Sequence, residues 1–469
     1  MAVPRPEAAL VDIERTRRQV LSHPLARGLS LTDTREHLAG VPQRRFPITA
    51  YAQRGKAPLI QPRGGVPTFE GQQRLTQQLS AAGADFLPLT IDSYTRHNEY
   101  ETATQLLRRS EEEGRDYLNG YPLVSHGHEL TRELYVDIDK PISLRHGTPD
   151  ARLLAEIAIA SGIAEIEGGG ICYCLPYSEG FPLDRCLLYW QYVDRLCALH
   201  SSAERPIHRE SFGPLSATLV PPAIAVTVQV VEALLAAEQG VRSFAVSFGQ
   251  TGSLIQDLAT AKVLRSLTSR YLRDFGFEDV RSYLVYHQWM GQFPHLRERA
   301  AALISGSSLV AGAIGADKVV VKTVDEALGV PRPEVNAEAV DTVRYLLDIF
   351  ACAAPLGSPL VDEEAALIES EAKSVLDAIF RLEGDAFWES VFRAFQMGYL
   401  DVPFSPHADN ANRLVSMRDA HRSIRIADRG NVPISDADAR REKELLAGAA
   451  APAEKTYRQL LRDINMMVA

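Results

Sequence analysis

Three arginines, Arg63, Arg96 and Arg145, stand at or just after short apolar runs that lie far apart in the chain. A guanidinium is a planar fork that pairs bidentately with a carboxylate, so three that converge suit a ligand bearing two carboxylates. Arginines near loops also pair with neighbouring acids as structural supports, and the sequence leaves that reading open for each. Glu167 ends another apolar run and is followed by Gly168, Gly169 and Gly170, which lets backbone approach a ligand closely. Its carboxylate could hold an ammonium group, act as a base, cap a helix or pair with a cation. Tyr173 and Tyr177 bracket Pro176 in the same stretch and offer hydroxyls and an apolar wall, or packing alone. Lys322, closing a Val319, Val320, Val321 run, could form a Schiff base, touch a cofactor or be a solvated strand end. No metal site is expected. The chain has no Walker A sequence, no GxGxxG after a strand, no HExxH and no CxxC. Cys172 and Cys174 form a single CxC, and His146 and His287 at strand ends read as hydrogen-bonded structural residues.

These residues need a scaffold that gathers distant segments at one place. From about 56 to 330, short runs rich in Val, Ile and Leu alternate with helical patterns, the mark of β-α units and a parallel sheet. Strand candidates are 58–61, 85–89, 122–124, 142–144, 164–166, 206–208, 244–248, 282–286 and 318–321, one more than the eight that close a barrel. Amphipathic spacing marks helices at 72–82, 102–113, 151–160 and 231–238. Polar or glycine-rich turns follow many of the strands, and in a barrel such turns share the C-terminal face on which active sites are built. The expected fold is α/β: a (β/α)8 TIM barrel over 56–335, an N-terminal helical extension over 1–55 and a mostly helical region over 336–469. That last region holds helices at 337–351, 364–381 and 386–397 and a loop-rich stretch with Pro403, Pro406, Asn410, Asn412 and Pro433. It could cap the barrel or bind a partner chain.

Composition sets the outer limits. The 469 residues exceed what one core holds, and 46% hydrophobic with 23% charged residues suits a globular enzyme. The net charge of -10, from 50 Lys plus Arg against 60 Asp plus Glu, disfavours nucleic acid or an anionic membrane as the main partner. The five cysteines, Cys352 among them, are odd in number and not densely spaced, which points to a reducing, cytoplasmic setting. The first twenty residues lack an apolar core of the secretory kind. The most apolar stretch, 219–237, contains Pro221, Pro222, Gln229 and Glu232 and does not suit a membrane span.

Several longer strings carry a more specific message. They are QPRGGVP at 61–67, LTIDSYTRHNEYE at 89–101, LNGYP at 118–122, RHGTPDARLLAEI at 145–157, EGGGICYCLPY at 167–177, FGPL at 212–215, TLVPP at 218–222, EALLAAEQGV at 232–241, HQWMGQFP at 287–294 and VVKTVDEALGVP at 320–331. Together they resemble the epsilon, catalytic subunit of glutamate mutase, also called methylaspartate mutase, from about residue 56 to 435. The resemblance implies an adenosylcobalamin-dependent radical isomerase that interconverts L-glutamate and 3-methylaspartate. It implies that Arg63, Arg96 and Arg145 grip the two substrate carboxylates, with Tyr173 and Tyr177 in contact. Glu167 would hold the ammonium and serve as the catalytic group that exchanges a proton. Gly65, Asn119, Pro176, Phe293, Lys322, Glu326 and Val330 match cofactor-contacting positions. The family's small subunit supplies the cobalt-ligating histidine from a DxHxxG motif. Here the nearest string, His37 to Gly40, has Arg35 where the aspartate belongs. A small cobalamin-binding partner is therefore implied, in a heterotetramer of two large and two small chains. Gly64 and Cys174 depart from the pattern, and the match is poor in the first fifty residues and after about 440. The alternatives are a related mutase acting on another amino or dicarboxylic acid, a non-catalytic partner of a cobalamin protein, and a Schiff-base enzyme using Lys322.

Overall fold

A computed structural model describes residue 4 and residues 10–213, 219–350, 357–447 and 457–468. Eight parallel strands form one sheet: β1 Leu59–Gln61, β2 Leu87–Thr90, β3 Ile142–Arg145, β4 Glu165–Glu167, β5 His208–Glu210, β6 Ser243–Gly249, β7 Arg281–His287 and β8 Lys318–Val320. The order β1-β8-β7-β6-β5-β4-β3-β2 runs once around a ring. Between β1 and β2 the seam carries backbone bonds from Asp85 N–H to Ile60 O at 2.9 Å and from Thr90 N–H to Gly64 O at 3.0 Å. With helices between the strands, this is a (β/α)8 barrel, and every strand's C-terminal end opens on the same face.

The surplus strand candidate, 122–124, is a misreading. Pro122 has no N–H to give a ladder, and Leu123 and Val124 instead open the helix Leu123–Glu133. Just before it, Tyr121 forms an isolated parallel bridge to Ile91 and donates its N–H to Thr90 O at 2.9 Å. Another strand, β5, lies later than 206–208. His208, Arg209 and Glu210 form it, and three polar residues in a row give no apolar signal to read.

The apolar stretch around 219–237 is a helix, Pro222–Glu238, with every residue buried. Pro222 sits at its first turn, where a missing N–H costs nothing, so the prolines start this helix. Its polar members have partners: Gln229 Oε1 accepts from Ser247 N–H at 2.7 Å, and Glu232 accepts from Ile171 N–H at 2.8 Å. Among the described residues no helix is long and apolar enough to cross a membrane.

The opposite end of the barrel is closed by the N-terminal helix Pro47–Gln53. The Tyr51 ring stacks on Tyr283 with centroids 4.0 Å apart and touches Phe86 and His208. Burial of such a ring is worth about 1.5–3 kcal/mol. Beyond β8, the helix Pro333–Phe350 packs against Arg297–Ala313 and Phe69–Ala81, completing the outer ring. After the later helices Pro359–Arg381 and Phe387–Met397 comes an antiparallel hairpin within the stretch expected to be loop-rich, β9 Val415–Arg418 with β10 Ile424–Asp428. Buried Arg425 in β10 pairs with Glu364 at 2.7 Å and Asp419 at 2.9 Å, which ties hairpin to helix. Residue 351, Cys352, the Pro214 and Leu215 of the FGPL string, Thr218 and the alanine-rich run beyond 447 lie outside the described residues.

Candidate functional site

The C-terminal mouth gathers the singled-out residues from six of the eight strand ends. Arg63 and Gly65 follow β1. Thr90 N–H bonds Gly64 O, which holds this loop so close to β2 that a Cβ on Gly65 would stand 2.1 Å from Thr90 O. Only glycine fits there. Arg96 ends the one-turn helix Ser93–Arg96, whose start is capped by Asp92 through bonds from Tyr94 N–H at 2.9 Å and Thr95 N–H at 3.0 Å. Arg96 Nε donates to Ile91 O at 2.6 Å. Arg145 is the last residue of β3 and Glu167 the last of β4.

Arg145 and Glu167 meet directly. Arg145 Nη2 pairs with Glu167 Oε1, while its Nη1 reaches Glu210 Oε1 at 3.4 Å, and all three side chains are buried. Tyr173 donates its hydroxyl to the other oxygen of Glu167. Gly168 permits this. It has φ of +120°, and a Cβ there would lie 2.4 Å from the Tyr173 ring and 2.5 Å from Trp190. Burial raises the Glu167 carboxyl above its ordinary range, opposed by Arg145 and reinforced by Glu210. The Tyr173 phenol is pushed well up by burial and by Glu167, so it stays a donor.

Arg63 pairs loosely with Glu326 at 3.9 Å and remains about one-third exposed. Its charge bears on Arg96, Glu167, Tyr177, His287 and Lys322 alike, so these groups share one electrostatic neighbourhood. The structural reading of the arginines is also realised: Arg63 and Arg145 have glutamate partners and Arg96 a backbone carbonyl. The arginines nonetheless line a mouth where a ligand carboxylate can compete for them.

Around the charges stands an aromatic wall. His146 packs edge-on to Tyr173 at 4.9 Å and stacks with Trp190 at 5.7 Å, and Phe212 lies 5.4 Å from Tyr173 and 5.5 Å from His287. Tyr177, 5.9 Å from Phe212, is the rim member and is 46% exposed. Burial and the nearby arginines hold His146 and His287 well below the ordinary imidazole range, so both are neutral. Among the described residues, His146 Nε2 and both ring nitrogens of His287 are buried without a hydrogen-bond partner. Groups of that kind are what a polar ligand would satisfy.

The residues matching cofactor contacts divide. Buried Lys322 donates to Glu326 at 2.5 Å and sits 5.7 Å from the Phe293 ring centroid. Burial and the charge of Arg63 lower the Lys322 ammonium to about 8. Val330 is 62% exposed, and beside it in sequence Leu328 is 73% exposed. Pro176 is half-buried beside Tyr177. Asn119 accepts from Ser93 N–H at 2.8 Å and so braces the Arg96 helix. Glu167, Glu210 and His287 place ligand atoms within 4.8 Å of one another, yet Arg145 already gives both carboxylates a cation.

Three participants escape a reading of the sequence. Glu210 lies on the polar strand β5 and was hidden by the shifted boundary. Trp190 comes from the helix Leu183–Leu199, where an aromatic residue reads as ordinary core. His407 lies 233 residues from Cys174, yet its Nε2 is 3.2 Å from Cys174 Sγ. The loop of His407 holds the loop of Tyr173 and Tyr177 through Ser405 Oγ to Leu175 O at 2.8 Å and Leu183 N–H to Asp409 at 3.1 Å.

Comparison with known proteins adds independent information. The family described as "Methylaspartate mutase E chain" matches residues 44–469, past the point near 440 where the string resemblance fades. The glutamate mutase epsilon subunit of Yersinia enterocolitica is 41% identical over 410 residues, covering 87% of this chain and 85% of the relative. That of Treponema denticola is 39% identical over 415 residues, covering 88% and 86%. That of Haloarcula marismortui is 42% identical over 413 residues, covering 87% and 83%.

Proposed function

This chain belongs to the methylaspartate mutase E chain family, a family of glutamate mutase subunits, and on that premise we propose that it catalyses the interconversion of L-glutamate and 3-methylaspartate with adenosylcobalamin. The observation that carries the reading is the meeting of Arg63, Arg96 and Arg145 with Glu167 and Tyr173 at one barrel mouth. Two carboxylates and one ammonium are what three guanidiniums and one buried carboxylate complement.

In this reading Arg145 exchanges one carboxylate partner for another when substrate binds. A substrate carboxylate takes the guanidinium edge that Glu167 holds, and Glu167 turns to the ammonium. Tyr173 keeps the second Glu167 oxygen hydrogen-bonded during that change. Because burial raises the Glu167 carboxyl, it can hold a proton near neutrality and exchange one with the migrating fragment. The neutral rings of His146 and His287 offer uncharged hydrogen-bonding atoms that do not compete for the carboxylates. Phe212, Trp190 and Tyr177 exclude water, which strengthens each ion pair.

The mouth also suits the cofactor. A few residues before the exposed apolar Leu328 and Val330 stands the pair of buried Lys322 and partly buried Glu326, a donor and an acceptor. Lys322, Glu326, Phe293, Gly65, Asn119, Pro176 and Val330 would hold adenosylcobalamin, which supplies the radical hydrogen abstraction that no side chain here provides. The cobalt-ligating histidine would come from a small partner subunit carrying DxHxxG, in a cytoplasmic heterotetramer of two large and two small chains. To test the radical reading, the assembled chains are frozen during turnover with L-glutamate and examined by electron paramagnetic resonance. A signal broadened by 13C-labelled L-glutamate is expected; a turning-over enzyme with no such substrate-dependent signal contradicts it.

A further inference from the structure

A column of buried polar residues runs down the inside of the barrel beneath the mouth. Gln61 Nε2 donates to Ser143 Oγ at 3.2 Å, and Ser143 donates to Glu165 Oε1 at 2.5 Å. Lys318 Nζ stands 2.7 Å from Glu165 Oε1 and 2.6 Å from Glu210 Oε2. Glu210 reaches up to Arg145 Nη1 at 3.4 Å, and Arg145 reaches on to Glu167. Two cations, Lys318 and Arg145, thus face three carboxylates. Lys318 joins Glu165 to Glu210, and Arg145 joins Glu210 to Glu167. If Glu167 leaves, both cations still have a carboxylate. If Glu210 were neutral, Arg145 would have Glu167 alone.

We propose that Glu210 is a positioning residue: it holds Arg145 from below as a permanent partner, so that Glu167 is free to pass from Arg145 to the ligand's ammonium group. The inference rests on the reading of the mouth as a site for an amino dicarboxylate and deepens it. Glu210 is placed for this by β5, whose side chains at this level point inward between those of β4 and β6. The ionisable groups around it are Arg145 from β3, Glu165 and Glu167 from β4, His208 from its own strand, His287 from β7 at 3.8 Å, Lys318 from β8 and, from the floor, Tyr51. Burial and Lys318 keep His208 low, at about 3, and His287 is likewise held neutral, so neither can replace Glu210 as a counter-charge or Arg145 as a cation.

The test compares two ligands, L-glutamate and glutarate, which differ only in the ammonium group. Their affinities are measured by isothermal titration on the full chain, wild type and Glu210→Gln. Wild type should prefer L-glutamate. In Glu210→Gln the Arg145 guanidinium closes on Glu167, L-glutamate affinity falls about thirtyfold or more, as loss of one partner of a buried charge pair does, and the preference over glutarate collapses towards one. Glu165→Gln also removes a carboxylate from Lys318 but leaves Arg145 alone, and it should keep the preference. If Glu210→Gln does not fold because Lys318 is left short of charge, the balanced pair Glu210→Gln with Lys318→Met takes its place with the same expectation. A wild-type preference that survives in these Glu210 variants overturns the inference while leaving the site reading intact. A wild type that does not distinguish the two ligands refutes the site reading, and the inference with it.

Discussion

Arg145→Lys is the perturbation that asks most of the proposed clamp. The two terminal nitrogens of Arg145 address different carboxylates, Nη2 that of Glu167 and Nη1 that of Glu210 at 3.4 Å, and the side chain is buried. Lysine keeps the positive charge but ends in one nitrogen on a differently shaped stem, so it serves one of these partners and not both. One charge-assisted hydrogen bond in a buried setting is worth about 1.5–3 kcal/mol. At about 1.4 kcal/mol per factor of ten, the loss in kcat/KM for L-glutamate is about tenfold to about 150-fold. The assay is initial-rate kinetics with saturating small subunit and adenosylcobalamin. Urea unfolding of the variant, run alongside, separates site damage from fold damage. If kcat/KM stays within about twofold of wild type while the protein is folded, Arg145 does not grip the substrate and the clamp is wrong.

Other outcomes follow from the same structure. A Cβ on Gly213 would lie 1.8 Å from Ser247 O, so Gly213→Ala should lower the thermal midpoint by several degrees, read by circular dichroism. Buried Asp257 is raised to about 7, chiefly by burial and against the bond from Thr251 N–H at 2.7 Å. Its contribution to stability is therefore fully present below the ordinary carboxylate range near 3.8 and lost as pH rises through about 7. Asp257→Asn, whose amide oxygen keeps the Thr251 bond, should gain up to about 4 kcal/mol in urea unfolding at pH 8 and nothing at pH 3.5, since the rise from 3.8 to about 7 is about three powers of ten in proton affinity at about 1.4 kcal/mol each. Lys322 is lowered to about 8, so its charged form is costly in the fold below that pH and it deprotonates above it. If the charged form holds the cofactor, adenosylcobalamin affinity should fall as pH rises through about 8, and Lys322→Arg should remove that limb in an equilibrium dialysis titration.

The barrel was legible because its strands β1 to β3 and β6 to β8 carry apolar runs broken by turns, a pattern that follows from burial of their interior, and β4 showed only through the apolar Ile163, Ala164 and Ile166 around its acids. The strand β5 was misplaced because it carries the interior charges: a site that needs Glu210 beside Arg145 must break the apolar pattern that marks a strand. The candidate 122–124 misled for the opposite reason, since an apolar triplet opens a buried helix as readily as it makes a strand. Likewise Pro221 and Pro222 read as breaks in an apolar stretch, although a proline at a first helical turn begins a helix. The convergence of Arg63, Arg96 and Arg145 could be expected only from the resemblance, because spacing alone does not bring residues 63 and 145 together. The pairing of Cys174 with His407 had no sequence signal at all. It depends on the loop built around Asp401, which accepts from Asn412, Arg413 and Leu414 N–H at 2.7–2.9 Å and so shapes the segment that carries His407.

The most direct measurement mixes the purified chain with a glutamate mutase small subunit and adenosylcobalamin, adds L-glutamate without oxygen or light, and follows 3-methylaspartate by NMR. The account predicts product that appears only when all three components are present and that falls sharply with Arg145→Lys. With cobalamin shown to be bound and the chains assembled, no 3-methylaspartate from L-glutamate would contradict it.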